Sequence, residues 1–169
     1  MEHSGPIALG VDIGGVLIER TDDSDDTSFW GENYLETPEI EGAMVAIAAL
    51  RKERFGDAVY LVSKSGEDTE RRAREWLVHN AFYDKTGVPP EHVHFCRKRH
   101  EKAPICAELG ITHFVDDRLE VLTHLDTVPH KFLFQPREAE VAEHEDFLDQ
   151  VERVGSWADA LTAILRTGG

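Results

Sequence analysis

Apolar positions along the chain follow two periods. Ile7–Val11 is a short, nearly continuous apolar run, the pattern of a strand buried on both faces of a sheet. Ala58–Val62, Val93–Cys96, His113–Val115 and Lys131–Phe134 read as four further strands. Between them the period becomes helical. In Glu39–Phe55, Ile40, Met44, Ile47, Ala48 and Leu50 recur at helical spacing, and Pro38 suits the first turn. Asp68–His79 is a charged helix with Ala73, Trp76 and Leu77 as its apolar stripe. His100–Leu109 is a helix closed by Gly110, and Ser156 caps a last one, Trp157–Leu165. This alternation predicts an α/β fold: a mostly parallel five-stranded sheet with helices on both faces.

One stretch breaks the pattern. Thr21–Thr37 packs Asp22, Asp23, Asp25 and Asp26 together and then presents Phe29, Trp30 and Tyr34. Like charges repel and prefer solvent, so the acidic half is expected to be a loop whose aromatic end docks on something. With 169 residues and 41 % hydrophobic content, the chain is expected to fold as one domain over residues 1–169 without a metal or disulfide staple.

Charge and cysteines narrow the function. Thirty-three acidic side chains against 18 basic ones give a net charge of −15. Such a balance lacks the electrostatic footprint of most nucleic-acid binders. Arg71, Arg72 and Arg74, or Arg97, Lys98, Arg99 and Lys102, could still form a local basic patch. Cys96 and Cys106 show neither zinc spacing nor partner pairs, which suits a reducing compartment. No apolar run reaches membrane-spanning length, and the N-terminus lacks a basic segment followed by an apolar one. A cytoplasmic protein with no membrane partner is expected.

In parallel sheets, ligands bind beyond the carboxyl ends of the strands. There the sequence places Asp12, Ser63 and the pair Asp116-Asp117, with Lys102 at the start of a helix. These groups suit phosphoryl chemistry. Asp12 could be the nucleophile that accepts a phosphoryl group. Asp12, Asp116 and Asp117 offer hard oxygen ligands for Mg²⁺, which would cancel the repulsion between two anions. Ser63 could hydrogen-bond a phosphate oxygen, and Lys102 could hold the nucleophile and offset developing charge. Each residue also has a plainer role. Asp12 could form a turn, Ser63 could cap a helix with Ser65 as its rival, and Lys102 could be a solvated helix lysine. Asp116 and Asp117 could cap the next helix, and Arg118 could pair with Glu120 or Asp116. The nine histidines offer no convincing ligand pair.

Four stretches in order resemble the haloacid dehalogenase (HAD) superfamily of hydrolases. Ala8-Leu9-Gly10-Val11-Asp12-Ile13-Gly14-Gly15-Val16 looks like its first motif and Tyr60-Leu61-Val62-Ser63 like its second. Lys102, ahead of Ile105 and Leu109, resembles the third, and Phe114-Val115-Asp116-Asp117-Arg118 the adjacent-acid form of the fourth. The resemblance implies a Rossmann-like three-layer α/β/α sandwich, Mg²⁺ and a phosphatase reaction through an aspartyl-phosphate. Its metal ligands would map onto Asp12, the Gly14 carbonyl and Asp117, with Asp116 behind. Ser63, Lys64, Lys102 and Arg118 would face the substrate, and Arg97 is a further candidate for specificity.

Gly14 is a departure: phosphatases of this superfamily usually carry there an Asp that acts as acid and then base. Such a group is typically worth about 10²–10⁴-fold, so a slow enzyme is one expectation. A catalytically inactive module that binds a phosphorylated ligand or a protein is the alternative, and carbon–halogen or carbon–phosphorus cleavage a third. The gaps between the motifs hold no full cap domain, only residues 21–37 as a minimal lid. Capless relatives tend to act on macromolecules or to cover the site by oligomerising, so a phosphorylated macromolecule and a homo-oligomer are expected partners. The Gly-Gly segment also looks like the first phosphate motif of actin-like sugar kinases, but the chain is too short for their two lobes.

Overall fold

Side chains along the strands alternate between two cores, one on each face of a central sheet. The computed structural model describes residues 5–20 and 33–167. Its strands are β1 (Leu9–Val11), β2 (Val59–Lys64), β3 (Val93–Cys96), β4 (His113–Asp116), β5 (His130–Phe134) and β6 (Glu152–Val154). They lie in the order β3-β2-β1-β4-β5-β6, and every neighbouring pair is parallel. The helices are α1 (Ala43–Leu50), α2 (Glu67–His79), α3 (Phe82–Thr86), α4 (Lys102–Leu109), α5 (Leu119–Leu122), α6 (Glu138–Glu143) and α7 (Trp157–Arg166).

Val11, Val115 and Phe132 face one core, shared with Ile47 of α1, Trp76 of α2 and Trp157 of α7. Val62, Phe114 and Leu133 face the other, shared with Cys106 of α4, Leu122 of α5 and Val141 of α6. The result is an α/β/α sandwich with a parallel central sheet. Gly10 is dictated by this packing, because a Cβ there would lie 2.5 Å from the Phe114 ring.

The structure adds to the sequence reading the short helices α3, α5 and α6, and differs from it in further features. The sheet has six strands, not five; β6 is three residues long with only Val154 buried, too short to leave a period. The first helix begins at Ala43, because Pro38 and Glu39 run back beside β1's outgoing loop. Glu19 N donates to Pro38 O at 3.0 Å, and Ile18 and Glu39 form an antiparallel bridge. The Glu39 carboxylate then accepts from Met44 N at 2.9 Å, a cap supplied from a distance where Gly42 has no side chain to give. Downstream, α1 continues through a wider π-helical turn, Arg51–Phe55.

The acidic run with Phe29 and Trp30 lies outside the described residues. The segment after it docks on α2: Tyr34 OH donates to Glu75, Arg72 lies over the Tyr34 ring at 5.2 Å, and Trp76 Nε1 donates to Thr37 O at 2.8 Å. Among the described residues, no helix is long and apolar enough to cross a membrane.

Candidate active site

The chain leaves β1 toward β2 on one side and later returns to β4 on the other, so β1 and β4 flank the switch in strand order. Ligand clefts open at the carboxyl edge of such a switch. Asp12 N donates to Val115 O at 3.0 Å, which extends the parallel ladder by one residue and sets Asp12 beside the end of β4. Asp116 closes β4 and Asp117 follows it. The three carboxylates are buried, and each places an oxygen within 4.8 Å of the others.

Lys102, in the first turn of α4, reaches into this cluster. Its Nζ donates to Asp12 Oδ1 at 3.1 Å and to Asp116 Oδ2 at 2.8 Å, and it is 2 % exposed. A lysine so buried is not a solvated helix residue. Arg118 N donates to Asp116 Oδ1 at 2.9 Å, so both Asp116 oxygens are engaged. Asp117 is different. Its Oδ2 is buried and has no aligned hydrogen bond; the Arg20 guanidinium contacts it at 3.0 Å as an ion pair.

Three carboxylates against the two cations Lys102 and Arg20 leave negative charge in excess when all are ionised. Burial first, then the Asp116 charge, push Asp12 up to about 6 against the relief from Lys102. Burial, Asp12 and Asp116 also raise Asp117. Burial opposes the charge on Lys102, but Asp116 and Asp12 outweigh it and hold the ammonium well above its ordinary value. Excess buried charge, oxygen-only donors and one carboxylate oxygen without a hydrogen bond fit a bound cation, and Asp12, Asp116 and Asp117 are the residues that could hold it.

Ser63, the penultimate residue of β2, lies in register with Phe95 of β3 and lines the same cleft. Lys64 and Ser65 line it as well; Ser65 is 3 % exposed, and its Oγ has no hydrogen-bond partner. Gly14 lines the cleft beside Asp12. Gly15, at φ 82°, allows a close approach: a Cβ there would lie 2.3 Å from Asp117 Oδ2. Arg118 lines the cleft but is already paired, its Nε donating to Glu140 at 3.2 Å. Glu140 also accepts from Leu119 N and Glu120 N, tying α6 to the turn that carries the acids. Arg97 turns to the outer side of the β2–α2 connection, donating to Ser65 O and Glu70. On α2, Arg71 and Arg74 pair with Glu75 and Glu70, so no bare basic patch forms there.

Arg20, Glu140 and Ser65 were not singled out as functional groups by motif. Ser65 was visible only as the rival of Ser63. Arg20 sits just ahead of the acidic run, and nothing local marks it; Glu140 acts only through the packing of α6 on α5.

The fold is that of HAD hydrolases. A HAD family hydrolase from Deinococcus radiodurans, solved with bound phosphate and sodium, superposes with a TM-score of 0.59 at 15 % identity, over 94 % of this chain and 95 % of that one. A protein described as a HAD family hydrolase from Streptomyces avermitilis gives 0.51 at 17 % identity, over 92 % and 85 %. No protein-family model matches the chain, and no curated protein matches it significantly.

Proposed function

We propose that the chain is a Mg²⁺-dependent phosphomonoester hydrolase with Asp12 as its nucleophile. One observation carries this reading: a buried lysine holds two of three buried carboxylates at the switch point of a HAD-type sheet. A carboxylate pinned by an ammonium is oriented for attack and shielded from the repulsion of an incoming anion. The relative in fold that holds phosphate and sodium shows both ion classes bound by such a protein.

In this reading Asp12 attacks phosphorus, the bond to the leaving oxygen breaks, and water then hydrolyses the aspartyl-phosphate. Lys102 holds the Asp12 carboxylate and offsets the charge gathering on the phosphoryl oxygens, while Ser63 donates to one of them. Bound Mg²⁺ would supply charge neutralisation and orientation of the phosphate. Asp117 has an oxygen free of hydrogen bonds and Asp116 has none, which favours Asp117 as the direct ligand with Asp12 and the Gly14 carbonyl. Lys64 completes the phosphate-facing set, whereas Arg118, engaged by Glu140, serves to brace the acid turn.

Apart from the triad itself, no described residue lining the cleft is a carboxylic acid or a histidine. With Gly14 in that position, the described residues of the cleft offer no carboxylic acid or histidine outside the triad to protonate the leaving oxygen. The enzyme should favour esters whose leaving groups depart without help, such as aryl phosphates, over alkyl phosphates. The same observation favours a second reading, a phosphate-binding module without turnover. Phosphate release from aryl and alkyl monoesters, with and without Mg²⁺, in wild type and Asp12→Asn, separates the two. Metal-dependent release that disappears in the variant supports the hydrolase; equal background from both proteins, alongside tight phosphate binding, supports the module.

A further inference from the structure

Among the described residues, Arg20 is the cation paired with Asp117, and a divalent metal bound by the triad would need the same carboxylate. The guanidinium sits 3.0 Å from Asp117 Oδ2, with Asp117 2 % and Arg20 19 % exposed. The contact is close but not aligned as a hydrogen bond, so it neutralises charge without locking geometry. Lys102 is committed elsewhere, to Asp12 and Asp116. Gly15 gives Asp117 its room, since any side chain there would meet the same oxygen. Arg20 also lines two cavities, the cleft with Ser63 and Lys102 and a neighbouring one floored by Glu39 and Glu41, so its head can move without leaving polar surroundings.

We infer that Arg20 is an exchange cation: it neutralises Asp117 in the metal-free protein and passes to the phosphoryl oxygens of the substrate when a divalent metal takes Asp117. A planar guanidinium fork suits two oxygens of a phosphoryl group, so the released residue favours a terminal phosphate monoester over a diester, which offers fewer charged oxygens. This inference rests on the reading of the triad as a metal centre.

The test is Mn²⁺ binding, followed by electron paramagnetic resonance of the free ion, near neutral pH and without substrate. Arg20→Gln removes the competitor and should tighten Mn²⁺ by about tenfold or more. Arg99→Gln removes a positive charge from the same cleft but leaves Asp117 its partner, and should change the affinity by less than about twofold. With Mg²⁺ saturating, inorganic phosphate should bind Arg20→Gln about tenfold more weakly than wild type. Equal or weaker Mn²⁺ binding in Arg20→Gln, or equal tightening in both variants, overturns the exchange; unchanged phosphate affinity overturns the hand-over. If neither wild type nor Arg20→Gln binds Mn²⁺, the metal reading itself fails. Should Arg20→Gln not fold, the Arg20 side-chain NMR resonance of wild type gives the answer. It must shift when Mg²⁺ saturates the protein, and an unmoved resonance overturns the proposal.

Discussion

β4 carries a buried polar cluster at each end, and the two are built on opposite principles. At its start His113 is fully buried, with one ring nitrogen 2.7 Å from Thr112 Oγ1 and the other 2.8 Å from Thr167 Oγ1. His130 stacks on it at 4.4 Å, and Phe55 meets its edge at 5.1 Å. Every polar atom of that ring has a partner, and the cluster ties the end of α7 to the sheet. At the strand's other end Asp116 and Asp117 bring charge into a region already holding Asp12, and one carboxylate oxygen lacks a hydrogen bond. Satisfied polarity holds a fold together, whereas unsatisfied charge costs stability and persists where a ligand is to supply what is missing.

The comparison is broken most severely by neutralising the charged end. Asp12→Asn should reduce metal-dependent phosphate release by about 10³-fold or more, since the nucleophile is removed outright. The same variant should be more stable than wild type without metal, and the gain should depend on pH. Burial, chiefly, raises the folded-state pKa of Asp12 from 3.8 to about 6, so folding favours the protonated acid. Below about pH 4 wild type enjoys that preference in full. It is lost as pH rises from about 4 through 6, a loss of about 3 kcal/mol in all. Asn, which never ionises, keeps its stability. Thermal melts should therefore show variant and wild type level near pH 4, with the variant several degrees higher at pH 7. Saturating Mg²⁺ should close the gap, and a gap that is constant with pH would mean that Asp12 is not strained by its charge.

At the satisfied end the expectation reverses. His113→Ala removes a packed ring and its hydrogen bonds to two threonine hydroxyls, and should lower stability by about 3 kcal/mol, a fall of about 10 °C in Tm. Phosphate release at a temperature where the variant is folded should be unchanged. A loss of activity without a loss of stability would show that the two ends communicate along β4, and would undo the separation.

The charged end was legible in the sequence because strand ends are local features. Asp12, Ser63 and Asp116-Asp117 each follow an apolar run, and parallel pairing brings such positions to one edge whatever lies between. Lys102 was legible from its place at a helix start ahead of an apolar stripe. The satisfied end was not: the partners of His113 are a neighbour in sequence and a threonine at the far end of the chain, and no period links them. Glu140 was hidden for the same reason. It accepts from Arg118 Nε, Leu119 N and Glu120 N across the contact of α6 with α5, a helix of one turn too short to announce itself. Glu140→Ala should leave the fold intact but weaken Mg²⁺ binding by about tenfold, as loss of a group that orients a ligand does, with Gln restoring part of it. Calorimetric titration reads this, and unaltered metal affinity would reduce Glu140 to a surface pairing partner.

Ser65 sharpens the contrast at the smallest scale. Its hydroxyl is buried in the cleft wall with no partner, while its backbone is fixed on both sides, N–H to Cys96 O and C=O to Arg97. A buried hydroxyl with no hydrogen bond contributes nothing to folding and carries a desolvation cost. Ser65→Ala should therefore leave Tm unchanged or raise it slightly, by less than about 1 kcal/mol of stability. If the hydroxyl is held ready for a ligand oxygen, the same change should weaken inorganic phosphate or raise KM by about threefold to tenfold, the worth of one hydrogen bond made only when the cleft is filled. A stability loss with unaltered KM would place Ser65 with His113, as a group the fold needs; a KM effect at constant Tm places it with the acids, where incompleteness is the signature of the site.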